Sequence, residues 1–288
     1  MSLSTCNYFV TLRCNDAPEY SSVWANEDYQ KYEEKTADLA AIRKAGVKYL
    51  HIMGGEPLLR DDLPEILGRA KSLGLETTLT TNGILYREQA GLLGGLADRL
   101  NIYLDYPTAD EHDRSRGTEC FTEVIAAIRR ATELKERPVI FFTITRDSVR
   151  YLPEMVELSE KLGVRLYLSP VYDFYGTQGF EGATVDHIKY FTRRPLVLAD
   201  LAALEFVRSG GNRTLYPRCR ARQTTLTLMP DGRRLSPCFF NPNGRQGSEG
   251  VCSSCMRWPY MLPSFSIGFD KYFWLNLYSE MLKRRKLV

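Results

Sequence analysis

The chain has 288 residues, 44% hydrophobic and 25% charged, enough apolar material to bury a core for one domain plus a small appendage. A formal charge of +3 gives no basis for nucleic-acid binding. No basic and apolar leader pattern precedes a small-residue cleavage site, and no stretch reaches the roughly 20 apolar residues that cross a bilayer, so the expected compartment is the cytoplasm.

In chain order, β-rich apolar runs fall at Tyr8–Arg13, Val47–Met53, Glu76–Thr81, Leu100–Asp105, Val139–Thr145 and Arg165–Val171. Between them, Asp28–Lys44, Asp61–Leu73, Arg87–Leu96, Phe121–Leu134 and Leu152–Leu162 carry apolar residues at helical spacing, with Gly46, Gly74 and Gly163 where helices end. This alternation predicts an α/β fold with parallel strands, and functional loops at the strands' C-terminal ends. After Val171 the rhythm breaks. A Tyr/Gly-rich connector (172–182) leads to a helical stretch around Ile188–Val207. A hairpin pattern follows, with strands Gln223–Met229 and Arg233–Cys238 around the turn Pro230-Asp231-Gly232. The predicted domains are 1–210 and 211–288. At the end of the chain, Phe273, Trp274, Leu277, Tyr278 and Met281 share one helical face, predicted to pack on the core. The basic Lys283–Lys286 end leaves a membrane-surface helix as the alternative.

The second strand runs into Gly54-Gly55-Glu56-Pro57, where glycines permit close backbone approach and Glu56 offers an acceptor for an ammonium group. The same tetrapeptide also reads as a tight turn with Glu56 as a helix cap. Asn82 follows the third strand, Asp105 ends the fourth, and Arg116 lies just beyond. Each has an ordinary reading too: turn, cap and surface arginine. Of the seven cysteines, Cys219, Cys238, Cys252 and Cys255 cluster, the last two as C-x2-C. Four thiolates at this spacing coordinate zinc or an iron–sulfur cluster equally well. Cys120 reads as a small buried hydrophobe.

Together the Gly-Gly-Glu-Pro segment, Thr81-Asn82-Gly83, Leu104-Asp105 and the His112–Gly117 stretch resemble the radical S-adenosylmethionine (SAM) superfamily over about residues 7–175. The resemblance implies a partial (β/α)6 TIM-like barrel with a small C-terminal α+β iron–sulfur extension. It also implies SAM contacts at Gly54, Gly55, Glu56 and Pro57, with Asn82, Asp105 and Arg116 as further contacts. The hairpin, Pro237-Cys238 and C-x2-C resemble the SPASM/twitch extension, which implies one auxiliary [4Fe–4S] cluster on Cys219, Cys238, Cys252 and Cys255.

The first strand departs from the family. Thr11-Leu12-Arg13-Cys14-Asn15-Asp16 matches the lead-in to a C-x3-C-x2-C loop, but this chain has Cys14, Pro18 and Ser21 at the three positions. A [4Fe–4S] cluster held by three thiolates needs ligands that proline lacks and that a serine alcohol supplies poorly. Cys6 lies eight residues upstream, about 25 Å along an extended strand, too far to replace them. Asp16, Glu19 and His51 are the residues from which a replacement metal site would be built. Three functions follow: a SAM-dependent transferase or lyase that has lost the radical-generating cluster and works by polar group transfer or cyclisation; a non-catalytic partner that binds a peptide or an active radical SAM subunit; or a radical enzyme with unusual cluster ligation. The expected substrate is a small molecule or peptide.

Overall fold

The computed structural model describes residues 3–18, 34–171, 182–211, 219–235, 255 and 258–287. The six expected strands form as β1 (Thr5–Thr11), β2 (Tyr49–Gly54), β3 (Glu76–Thr81), β4 (Arg99–Tyr103), β5 (Val139–Ile144) and β6 (Arg165–Pro170), each pairing in parallel with the next. The intervening helices are α1 (Leu39–Lys44), α2 (Leu63–Ser72), α3 (Tyr86–Leu93), α4 (Ala109–Arg116), α5 (Phe121–Glu133) and α6 (Leu152–Leu162). The sheet is an α/β parallel array of the expected partial-barrel type. Leu50, Ile52, Leu79, Ile102, Ile140 and Leu166 face the helices and are buried with the inner stripes of α2, α5 and α6. Residues on the alternate face, such as His51, Met53, Thr80, Tyr103, Phe141 and Tyr167, are only half buried. Tyr103, Phe141 and Tyr167 make a continuous ring ladder there, with centroids 5.2 and 5.1 Å apart.

Local departures have local causes. The helix expected from Asp28 begins, among the described residues, only at Leu39, because the Asp38 carboxylate accepts from Ala41 N and caps it there. The single helical stretch expected around Ile188–Val207 is two helices, α7 (Gly182–Phe191) and α8 (Leu201–Arg208). A short strand, β7 (Val197–Leu198), lies between them and pairs with β6 after Pro195 has stopped α7 from continuing.

The hairpin expected in the C-terminal extension forms after the short helix α9 (Ala221–Thr224), as β8 (Thr225–Leu228) against β9 (Arg234–Leu235). It does not stand apart from the barrel. β8 pairs in parallel with β1, matching Thr5 to Thr225 and Tyr8 to Leu228, so among the described residues the sheet order is β7-β6-β5-β4-β3-β2-β1-β8-β9.

Helices α10 (Trp258–Phe265) and α11 (Lys271–Leu287) close the chain. The face of α11 expected to pack is the outer one: Trp274, Leu277, Tyr278 and Met281 are 44–57% exposed. The helix is instead oriented by Tyr272, Leu275, Ser279 and Lys283, again at three-to-four spacing. Ser279 Oγ accepts from Leu201 N, and Lys283 pairs with Asp200, which also takes the Tyr167 hydroxyl. Buried polar anchors thus outrank aromatic area. Leu277→Glu should therefore change stability by no more than about 0.5 kcal/mol, against about 1–2 kcal/mol lost in Leu275→Ala, as read from urea unfolding midpoints. No helix of the described residues is long and apolar enough to cross a membrane.

Candidate functional site: the C-terminal ends of the first four strands

β2 ends in Gly54, and the chain turns at once against the segment leaving β1. Gly55 N donates to Thr11 O at 3.0 Å and Glu56 N to Arg13 O at 2.8 Å. A Cβ on Gly54 would stand 2.2 Å from Thr11 O, and one on Gly55 1.9 Å from Arg13 O. What approaches these glycines closely is therefore the β1 loop itself. Gly55→Ala should cost about 1–3 kcal/mol in a denaturant melt, because the obstructing atoms are backbone and cannot rotate away.

Glu56 is buried and fully engaged. Its Oε1 accepts from Leu58 N at 2.9 Å and from Thr81 Oγ1 at 2.7 Å, and its Oε2 accepts from Asn82 N at 2.7 Å. The carboxylate thus caps the 3-10 turn Pro57–Leu59 and ties the end of β2 to the end of β3, a positioning role in place of the open acceptor expected from the sequence. Burial pushes its pKa up to about 7 against these three donors. Pro57 is buried at the first position of that turn.

Asn82 and Gly83 form the expected turn, with Gly83 at φ 84° and Asn82 Oδ1 accepting from Ile84 N. The other end of the Asn82 amide reaches across to the β1 loop, Nδ2 donating to Asn15 Oδ1 at 2.7 Å. Arg116, at the end of α4, lies between two carboxylates: Nη1 is 3.0 Å from Asp16 Oδ2 and Nη2 is 2.7 Å from Asp105 Oδ2. The three side chains are only 4%, 2% and 1% exposed. The guanidinium also stands 4.9 Å from the Tyr103 ring centroid. His112 is buried beneath it, with Nδ1 accepting from Asp105 N and its ring edge-on to Phe121. Burial, with the Arg116 charge adding to it, lowers its pKa to about 3, so the imidazole is neutral.

The structure thus brings Glu56, Asn82, Asp105 and Arg116 together. It adds partners to which the sequence reading gave no separate role, Thr81, Asn15 and His112, and it places Asp16, weighed above as a metal ligand, against Arg116. Arg60 is another, buried, donating from Nη1 to Val10 O at 2.7 Å while paired with Asp62, so that it pins the end of β1 to the start of α2. An acid two residues after Cys14 and an arginine three residues after Gly-Gly-Glu-Pro are the sequence signals for Asp16 and Arg60. Next to the cluster, the connections after β4 and β5 enclose a polar cleft of about 270 Å³ lined by Tyr106, Glu111, Arg114, Ser115, Asp147 and Arg150.

The thiolate loop does not fit a [4Fe–4S] cluster. Cys14 Sγ donates to Asp16 Oδ1 at 2.8 Å, and burial with that carboxylate alongside pushes the thiol pKa up, keeping it protonated. The second ligand position is the buried Pro18; Ser21 lies outside the described residues. Cys6 is buried on β1 opposite Leu50 and Leu226, five residues before the strand ends. Among the described residues no group of three His, Cys, Asp or Glu side chains is placed to hold a metal ion; His51 sits mid-strand opposite Asn7 and Thr78, and Glu19 is outside the described residues. For SAM the residue types fit: carboxylates, a guanidinium and amides, here bonded to one another, converge at one end of the sheet, the kinds of group that an ammonium, a carboxylate and a hydroxylated nucleoside pair with. Of the C-terminal cysteines, Cys219 precedes α9 and is half buried, Cys255 is half buried, and Cys238 and Cys252 lie outside the described residues.

The pattern that defines the radical SAM superfamily matches residues 9–157. A protein from Methanococcus aeolicus named "Probable GTP 3',8-cyclase" is 33% identical over 219 residues, 68% of this chain and 71% of that protein. One of the same name from Saccharolobus solfataricus is 38% identical over 126 residues, and there the match spans only 41% of the relative's length. The solved structure of Streptococcus suis SuiB bound to S-adenosylmethionine superposes with a TM-score of 0.66 over 90% of this chain and 64% of that one, at 17% identity, a likeness of fold. The chain belongs to the radical SAM superfamily.

Proposed function

We propose that this chain is a SAM-dependent enzyme in which the ends of β2, β3 and β4 hold SAM for polar group transfer or cyclisation on a small molecule or peptide. The observation that carries this reading is the single buried cluster joining the Cys14 loop to Glu56, Asn82, Asp105 and Arg116. Family membership supports SAM as the ligand, and the absence of thiolates at positions 18 and 21 supports chemistry without a reducing cluster in this loop. When bound, SAM supplies a carbon made electrophilic by the adjacent sulfonium. The chain's own contribution is placement: the Glu56 and Asn82 hydrogen bonds and the Arg116 ion pairs hold in place the strand-end loops that face the cofactor, and Tyr106, Glu111 and Arg150 in the adjoining cleft orient the substrate. Cys219, Cys238, Cys252 and Cys255 hold one auxiliary [4Fe–4S] cluster in this reading.

The similarity to proteins named GTP 3',8-cyclase favours a second reading, radical chemistry with unusual ligation at the barrel end. Anaerobic calorimetry and product analysis separate the two. The polar reading expects saturable one-site SAM binding and no 5′-deoxyadenosine after dithionite. No SAM binding sinks both, and 5′-deoxyadenosine formed at the chain's own iron replaces the first by the second.

A further inference from the structure

We infer that the β1 loop is an iron-free element, ordered by the chain Cys14, Asp16, Arg116, Asp105 in the place where its superfamily uses a cluster. The argument is one of saturation. Both Asp16 oxygens are committed, Oδ1 to the Cys14 thiol and Oδ2 to Arg116, so the loop's carboxylate has already found its proton donor and its cation. Arg116 carries its charge between two acids that are themselves almost wholly covered, a geometry that sustains a buried guanidinium without a metal alongside.

The backbone agrees with the side chains. Ala17 N donates to Arg116 O at 2.9 Å, and Gly117, in the left-handed region at φ 66°, turns the chain directly beside Ala17, whose carbonyl oxygen would lie 3.5 Å from a Cβ there. Asn15 is held to Asn82, and Thr11 and Arg13 are held to Gly55 and Glu56. Thr11, Arg13, Asn15, Asp16 and Ala17 are therefore each fixed to the segments leaving β2 and β3 or to the end of α4 by a hydrogen bond or ion pair, and Cys14 is fixed through Asp16. A loop that a cluster organises elsewhere in the superfamily has protein partners along its length, and Arg116 is the positioning residue of that organisation.

The inference deepens the polar reading above, and its readout does not depend on SAM. Amide hydrogen exchange would be followed over residues 11–18 in the full chain, once depleted of iron by chelation and once reconstituted anaerobically with iron and sulfide. Peptides over β5 and β6 serve as internal reference. Exchange of the loop amides, Ala17 above all, is expected to agree within about twofold between the two samples. Loop exchange at least tenfold faster in the depleted protein, with β5 and β6 unchanged, would overturn the inference. Cys14→Ala should leave reconstituted iron per chain unchanged, and a fall in iron overturns it equally. Asp16→Asn should accelerate the loop at least tenfold with the reference strands unmoved; no acceleration means that the ion pairs do not order the loop. A protein that binds no SAM yet keeps an ordered iron-free loop would defeat the proposed function and leave this inference standing, whereas a loop that orders only with iron, in a protein that binds SAM, does the reverse.

Discussion

Arg116→Met is expected to lower the unfolding free energy by about 3–5 kcal/mol, because it strands two carboxylates that are at most 2% exposed. Most of that loss is not the worth of the ion pairs. Three charges taken from water are compensated chiefly by one another, so removing the central one leaves Asp16 and Asp105 as buried carboxylates without their shared cation. The test is a triple variant: Asp16→Asn/Arg116→Met/Asp105→Asn removes all three charges at once and should recover most of the stability of the single variant. Urea melts with equal slopes give the comparison directly. If the single variant melts within about 1 kcal/mol of the wild type, the buried network does not exist in solution.

Glu56→Gln is the second large effect, and its signature is a dependence on pH. The Glu56 carboxyl titrates near pH 7 when folded, against 4.5 as the ordinary value. A folded pKa above the unfolded one means that the native state binds the proton more tightly. The associated stability is fully present below pH 4.5 and is lost as pH rises through about 7. Between pH 8 and pH 5 the term amounts to about 2–3 kcal/mol. His51 and His112 work in the opposite direction, since burial lowers their folded values to about 4 and about 3, so they remove stability as pH falls below 6.5. The difference between wild type and Glu56→Gln cancels both histidines. That difference should grow in favour of the wild type by about 2–3 kcal/mol from pH 8 to pH 5. On top of it lies a pH-independent loss of about 1–3 kcal/mol, because the glutamine amide, accepting from Leu58 and Thr81, turns its NH2 toward the Asn82 N–H. A flat difference across that range would place the Glu56 carboxyl at its ordinary pKa.

The strands were the most legible part of the chain. All six barrel strands form within about three residues of where the alternation of apolar runs and helical spacing puts them, because a buried parallel sheet admits few polar interruptions. Helix α4 was invisible to the same reading. Ala109–Arg116 has no apolar stripe; it is organised by Asp113, whose Oδ1 caps the next helix through Cys120 N and Phe121 N, and by the burial of His112 and Arg116. The face of α11 was misjudged for a related reason. Aromatic area suggested one side, while Ser279 and Lys283, which look like ordinary surface residues, had buried partners in a distant segment. At the site, Glu56, Asn82 and Asp105, chosen by motif spacing, follow the ends of β2, β3 and β4, and Arg116 ends α4. What the spacing did not carry is that they bond to one another and to the Cys14 loop. That depends on the sheet's curvature and on side-chain direction, which a linear reading does not contain.

The parallel pairing of β8 with β1 sets a condition on how this chain comes to be made. The amino-terminal strand leaves the ribosome early, yet one of its edges stays open until residues 225–228 follow, across a sequence separation of about 220 residues. A protein shortened at residue 210 would keep every element of the six-stranded array and still present a bare strand, rich in β-branched and aromatic side chains, to any neighbouring copy. Such a fragment should self-associate more strongly than the full chain, and synthesis of the intact protein carries a late, long-range closing step.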